Sequence, residues 1–361
     1  MRILIVGCSL VGGFAALALR EAGLEADVVE AAPEVVNRAG GVIGLEHPTL
    51  EALERVGIDH DEVVPFRGER VVKLHVRDRV HGDCTQTIYP GRNTTWSLLF
   101  AAITRRLPAD AVQFGSRVRA DGDRFTLEGR ELDYDLVIFC DGRTSVGRRV
   151  LDPGRRLRYA GYVAHRGQCT SGACASPSWV RFTVADRNML ATFPVGHAGV
   201  DWTFYANATA DEYARWFGMP PVRRPFALPQ HVSDEARRYV DDAAAGCLPD
   251  DEVALVVGTR QRAAAAVMDV DPPTRMVWSR SPGRFEVLLG DALAPVRPHT
   301  ARGANNGIEQ VADLVGVVRQ HVRYGADLEA GLAALEARHL LRVVDDVRRG
   351  PTLGAQVGLG I

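Results

Sequence analysis

The residues whose types and spacing suit them to chemistry stand at the ends of three apolar runs. Gly7, Ser9 and Gly12 follow residues 2–6. Asp141 and Gly142 follow residues 136–140. Gly290 and Asp291 follow residues 285–289. The first group makes a small-residue turn into an apolar helix spanning Leu10 and Val11. A second strand-like run at 26–29 ends in Glu30 and Ala31. Strand, glycine turn, helix, strand, acid is the dinucleotide-binding fingerprint. The turn brings backbone N–H groups and a positive helix end to a pyrophosphate, and the acid accepts hydrogen bonds from a ribose. Ser9 stands in place of the usual second glycine, and its hydroxyl can donate to a phosphate oxygen. The motif alone leaves NAD and FAD both open. A strand ending in Asp-Gly or Gly-Asp is by itself an ordinary turn, but the three together, in this order, are specific.

Acid–base candidates are fewer. His299 lies beside Pro298 in the segment before Gly303, Ala304 and Asn305. His165 lies in a strand-like run, next to Arg166, which suits a carboxylate or carbonyl group. Trp202 and Tyr205 are candidates to line a pocket. Each has a plainer reading: a packed histidine, an arginine paired within a sheet, aromatics filling a core.

These residues must be positioned by a mixed chain. Helices are expected over 49–57, 96–107, 211–217, 234–245 and 328–347. Another opens at Gly303 with Ile308, Val311, Ala312 and Val315 at i, i+3, i+4, i+7. Strands are expected at 71–77, 85–89, 112–118, 124–127 and 131–133, and then at 159–168, 179–185, 189–194 and 201–207. A glycine-rich loop closes with Gly40, Gly41 and Gly44, placed to pass close to a ligand. The expected fold class is α/β, with a Rossmann-like domain, an inserted antiparallel-sheet domain and a C-terminal helix. The expected boundaries are 1–70, 93–155 and 265–325 for the first domain, 71–92 and 156–264 for the second, and 326–361 for the C-terminal segment.

Composition narrows the function. A chain of 361 residues with 46% hydrophobic content has room for two domains with real cores. A net charge of −2 argues against nucleic acid as a partner. Lys73 is the sole lysine among 43 basic residues, so lysine chemistry elsewhere is excluded. The six scattered cysteines are expected as reduced thiols of a cytoplasmic protein, and the ten histidines form no metal-binding spacing. No apolar run is long enough to span a membrane, and with the fingerprint strand starting at residue 2 no signal peptide is expected.

With the three turns in place, the chain resembles the flavin-dependent aromatic hydroxylases, single-component FAD monooxygenases with the p-hydroxybenzoate hydroxylase fold. The likeness to the dihydroxypyridine hydroxylase branch rests on Gly7, Ser9 and Gly12, on Tyr159-Ala160-Gly161-Tyr162 with Arg166-Gly167, and on Arg297-Pro298-His299. The resemblance implies that FAD is held by Gly7 to Gly12, Glu30, Ala31, Val118, Asp141, Gly142 and Asp291, and that residues 298–305 pass beside the isoalloxazine. It implies reduction by NADH or NADPH, and oxygen delivery from a flavin C4a-hydroperoxide to an aromatic or heteroaromatic substrate. Phe139, Ala294 and Trp96 depart from residues common in the family. Epoxidation, Baeyer–Villiger insertion or oxidative ring modification on the same scaffold is an alternative. A non-catalytic flavin-binding protein is another. A NAD-dependent dehydrogenase would leave two of the three turns unexplained. Small molecules and O2 are the expected partners, and a homodimer is compatible with the sequence.

Overall fold

The computed structural model describes residues 1–34, 41–64, 70–88, 91–169, 179–195 and 199–360. Gly40, Tyr89 and Cys174 lie outside them. The chain opens with β1 (Ile3–Val6), α1 (Leu10–Glu21), β2 (Asp27–Glu30), β3 (Val42–Glu46), α2 (His47–Arg55) and α3 (His60–Val63). Next come β4 (Arg70–Arg77), β5 (Val80–Ile88), β6 (Gly91–Thr95) and α4 (Trp96–Thr104). Then follow β7 (Gln113–Phe114), β8 (Arg119–Asp121), β9 (Arg124–Leu127), β10 (Arg130–Glu131), β11 (Leu136–Phe139) and α5 (Val146–Leu151). The second half holds β12 (Arg158–Cys169), β13 (Val180–Ala185), β14 (Asn188–Val195), β15 (Gly199–Asn207), α6 (Ala210–Phe217), β16 (Phe226–Ala227), α7 (Asp234–Cys247), α8 (Asp250–Gly258) and β17 (Arg262–Asp269). β18 (Val277–Ser281), β19 (Arg284–Leu288), α9 (Gly303–Tyr324) and α10 (Leu328–Gln356) close it.

One sheet has the order β18-β19-β11-β1-β2-β7. From β19 to β7 its neighbours are parallel, and only β18 is antiparallel. Val6 pairs with Phe139, and Phe139 with Leu288. The register therefore sets the carboxyl ends of β1, β11 and β19 side by side, and the three turn motifs meet at one edge, where open α/β sheets bind ligands. β1 and β11 are buried at every residue, as a sheet covered on both faces requires. Phe139 occupies the space that a side chain on Gly147 would need: a Cβ there would fall 2.5 Å from the Phe139 ring. The glycine of α5 thus accommodates the larger residue on β11.

The second sheet has the order β16-β17-β12-β15-β14-β13-β4-β5, antiparallel except between β13 and β4. Side chains alternate between its faces. Val200, Trp202, Phe204 and Ala206 pack with Val240, Ala244 and Val256 of α7 and α8. Ala160, Tyr162, Ala164 and Tyr205 form a separate cluster that reaches Val357 and Leu359 at the C-terminus. β17 runs to Asp269, past the domain boundary expected at 264. The strand was not expected there, because the alanine run 263–266 carries no alternation.

α10 braces the first sheet. Glu336 accepts from the backbone N–H of Met276 (2.6 Å) and Val277 (2.9 Å). The helix continues through Pro351 to Gln356, beyond the end expected at 347. Cys8, Cys140 and Cys247 are buried free thiols, but Cys84 is exposed and Cys169 is disulfide-bonded, so the expectation of reduced thiols throughout is corrected at Cys169. No described helix is long and apolar enough to cross a membrane.

Candidate active site

The site begins with the turn after β1. Gly7 adopts φ +91°, and a Cβ on it would fall 2.8 Å from Asp141 Cα. A Cβ on Gly12 would fall 1.8 Å from the Gly7 carbonyl oxygen. Only glycine allows α1 to start this close to the strand end. Ser9 is the N-cap of α1, yet its hydroxyl makes no capping bond, and the first turn holds no acid. Leu10 is buried at the helix start. Val11 packs against Gly290 and Gly307, locking α1 onto α9 and the Gly290-Asp291 turn. Glu30 accepts from the N–H of Cys8 and of Ala32, both at 2.8 Å, which fixes its carboxylate at the end of β2. Each oxygen keeps a second lone pair for a ribose hydroxyl. Ala31 is half-buried beside it, and Val118 is buried in the core of the first sheet.

The other two turns are tied together by a residue the sequence analysis did not single out. Arg148 is buried and donates to the carbonyls of Asp291 (2.9 Å), Ala292 (2.8 Å) and Arg143. Asp141 accepts from Val146 N–H (2.6 Å), while its other oxygen is buried without a partner. Gly142 adopts φ +75° in the same turn. Burial pushes the Asp291 carboxyl above its ordinary pKa, against the opposing charges of Arg143 and Arg148. A Cβ on Gly303 would lie 3.6 Å from Asp291 Oδ1, so this carboxylate sits under the start of α9.

The α9 N-terminus is itself open. Its cap residue, Arg302, makes no side-chain capping bond, and the first turn, with Gly303 and Ala304, holds no acid. Its free N–H groups and dipole favour negative charge in front of it. Asn305 faces the other way. Its Oδ1 accepts from Glu46 N–H (2.9 Å) and Thr49 Oγ1 (2.7 Å), and its Nδ2 donates to the carbonyls of Gly44 (2.8 Å) and Ala301 (2.7 Å). Its side chain is spent on holding β3 against α9. Arg302 does similar work within the cluster of Glu46, Glu309, Asn306 and Asp346.

These features fit FAD. An unfilled carboxylate oxygen at Asp141, a fixed carboxylate at Glu30, and two uncapped helix N-termini meet at one sheet edge. The residues that would hold the cofactor are Gly7 to Gly12, Glu30, Asp141, Gly142 and Asp291, with Pro298 and residues 303–305 at the ring end.

Beyond that end, Tyr162, Arg166 and Tyr205 share one face of the second sheet with His299. His299 Nε2 lies 3.0 Å from the Gly350 carbonyl, and Nδ1 lies 3.5 Å from Tyr162 Oη. A carbonyl only accepts, so Nε2 carries the proton and Nδ1 is left as acceptor. Burial lowers the His299 pKa, with Arg297 adding to the effect. Rings of Tyr162 and Tyr205 lie 6.2 and 6.1 Å from the His299 ring. Arg166 packs on Gly41, whose Cβ would fall 2.7 Å from Arg166 Nη1.

His165 and Trp202 are not brought to this face. Alternation along β12 turns His165 away from Arg166, toward Trp216 (6.3 Å) and Phe217 (6.0 Å). There its pKa is lowered to about 3 by burial, with Arg262 contributing. Trp202 donates to Thr259 Oγ1 (2.9 Å) among the helices. Sequence reasoning also missed Asp201, two residues before Thr203 on the face of Tyr205. No local motif marks it; only the strand register does.

No family model matches the chain. A 3-amino-4-hydroxybenzoate 2-monooxygenase of Streptomyces cremeus is 30% identical over 383 residues, covering 99% of this chain and 88% of its own. A 6-hydroxynicotinate 3-monooxygenase of Bordetella bronchiseptica is 28% identical over 344 residues, covering 88% of this chain and 83% of its own. The solved structure of 2,6-dihydroxypyridine-3-hydroxylase from Arthrobacter nicotinovorans shares the fold, with a TM-score of 0.83 at 20% identity over 99% of this chain and 92% of that one. With three ligand-binding turns at one sheet edge and a likeness that runs the length of the chain, the protein belongs to the single-component FAD-dependent aromatic hydroxylases and is an FAD-dependent monooxygenase.

Proposed function

We propose that the enzyme hydroxylates a small aromatic or heteroaromatic acid held between the ring end of the cofactor site and the sheet face carrying Tyr162, Arg166 and Tyr205. The convergence of these residues with His299, directly before the open N-terminus of α9, supports this most. When bound, FAD would supply the oxygen-transfer chemistry, with NADH or NADPH and O2 as co-substrates. The chain supplies the rest. The α9 N-terminus favours negative charge on the cofactor ring. Arg166 binds an anionic or carbonyl group of the substrate. His299, neutral and hydrogen-bonded to Gly350, offers Nδ1 as an acceptor through Tyr162. Tyr205 packs against the ring.

The names of the two relatives, both ring monooxygenases, favour hydroxylation over epoxidation or Baeyer–Villiger insertion. On this reading the cofactor domain comprises residues 1–70, 93–155 and 270–325, and the substrate domain 71–92 and 156–269. A cytoplasmic setting and a homodimer complete the proposal; light scattering of the purified enzyme reads the second. The functional test is NADH and NADPH oxidation in the presence of 3-amino-4-hydroxybenzoate, 6-hydroxynicotinate and related ring acids. Stimulated oxidation with a product heavier by one oxygen supports the proposal. Oxidation that no ring compound stimulates counts against it.

A further inference from the structure

Asp201 and Arg166 face one another without closing. Both project from the face of the second sheet that carries Tyr205. Gln168 pairs with Asp201, and Arg166 with Thr203, across β12 and β15. Asp201 is 7% exposed. Its carboxylate meets the backbone N–H of Val42 on β3, and its Oδ1 is buried with no hydrogen-bond partner. Arg166 Nε is also buried with no partner. The two charges feel one another, yet no ion pair joins them among the described residues. Buried carboxylates and guanidinium groups are normally paired, because an unpaired one carries a large desolvation cost. On the wall of the proposed substrate pocket, the orphaned oxygen of buried Asp201 and the orphaned nitrogen of half-buried Arg166 mark the places of two substrate groups.

We propose that Asp201 is the substrate's proton acceptor. Its free oxygen takes the hydrogen bond of a ring O–H or N–H, while Arg166 holds a carboxylate or carbonyl on the same ring. In the reaction the ring O–H or N–H bond breaks and an O–H bond forms on Asp201. The electron pair stays on the ring, which becomes more electron-rich and so a better oxygen acceptor. The substrate class is a planar ring acid bearing a second, ionisable donor. This deepens the proposed function and rests on the same sheet face being the substrate pocket.

The surroundings suit the role. Burial raises the Asp201 pKa to about 7, opposed by the charge of Arg166 and the N–H of Val42. The titratable groups facing it are Arg166 from β12 and Tyr205 from its own strand; β14 presents Phe193, the partner of Asp201 in register. A base of this strength is ionised for half the molecules near neutrality and fully so about two units higher.

The experiment uses the FAD-loaded enzyme and its Asp201→Asn and Arg166→Gln variants. The probes are 3-amino-4-hydroxybenzoate, 4-hydroxybenzoate, 6-hydroxynicotinate and the matching acids without a ring hydroxyl. Binding is followed by the perturbation of the flavin absorbance, and turnover by product formation. The wild type should bind hydroxylated probes at least tenfold more tightly than their deoxy analogues at pH 8, and kcat/KM should fall below about pH 7. Asp201→Asn should abolish that preference, lose the acid limb and lower kcat by about 10²–10³-fold, with the FAD affinity unchanged. Arg166→Gln should weaken all the acids alike. A variant at Asp201 that keeps both the preference and the acid limb overturns the proposal, as does a wild type that turns over rings but shows no preference for a donor. An FAD-loaded wild type that oxygenates no ring at all defeats the broader functional proposal as well, so the two failures are told apart.

Discussion

Replacing Asn305 by alanine should uncouple the cofactor helix from the β3 strand. Asn305 is fully buried and makes four hydrogen bonds at 2.7 to 2.9 Å, three of them to Gly44, Glu46 and Thr49 around the start of α2. A net contribution of roughly 1 kcal/mol per bond gives about 4 kcal/mol, and orphaned groups such as the Glu46 N–H carry a penalty of ~1–3 kcal/mol each. Asn305→Asp separates hydrogen bonding from packing. It keeps the volume and one acceptor oxygen, but sets a second acceptor against the carbonyls of Gly44 and Ala301. It should therefore cost about as much as alanine. Urea unfolding of both variants, with and without FAD, measures the loss through the midpoint at constant slope. Asn305 lies in the first turn of α9, so FAD affinity should fall too. A loss below about 1 kcal/mol in Asn305→Ala, or an Asp variant as stable as the wild type, would show that the four bonds contribute little.

Other expectations follow from the same geometry. Glu30→Ala should weaken FAD binding about 10–100-fold, the effect of one or two charge-assisted hydrogen bonds, as read by flavin fluorescence titration. Gly12→Ala should give protein that takes up no FAD, because its Cβ would lie 1.8 Å from the Gly7 carbonyl oxygen; normal flavin content in the purified variant would contradict this. His165 has its pKa lowered to about 3 from 6.5. The unfolded chain therefore binds the proton first as pH falls below 6.5, and stability drops across the window from 6.5 to about 3. From pH 7 to 5 this amounts to about 2 kcal/mol. His165→Leu should remove that part of the pH dependence while keeping hydroxylase activity, and loss of turnover with intact folding would return His165 to the catalytic residues.

How far the sequence could be read depended on whether a feature is local. The turn after β1, the Asp141-Gly142 turn and the Gly290-Asp291 turn were visible because each is a short spacing next to an apolar strand. Their meeting at one edge followed from parallel pairing. The face of the second sheet was not visible. His165 and Arg166 are neighbours in sequence but point to opposite sides of β12, and only the pairing of β12 with β15 reveals which side joins Tyr205. For the same reason Trp202 was grouped with Tyr205 and Asp201 was passed over. Arg148 was missed because its partners are backbone carbonyls up to 144 residues away. α8 was missed although Asp250, Asp251 and Glu252 in its first turn are a favourable start for a helix. The β4–β5 and β13–β14 hairpins turn on Asp78-Arg79 and Asp186-Arg187, all at positive φ. Arginine at such positions gives no turn signal of the kind Asn-Gly gives.

As an FAD-dependent aromatic hydroxylase, the enzyme inserts one atom of O2 into the ring of its substrate. Turnover of the FAD-loaded enzyme under labelled dioxygen, with NADH or NADPH and a ring acid that stimulates reduction, tests it most directly. One labelled oxygen is expected in the product for each nicotinamide oxidised in coupled turnover. A hydroxylated product without label, or a protein that takes up no FAD, would contradict it.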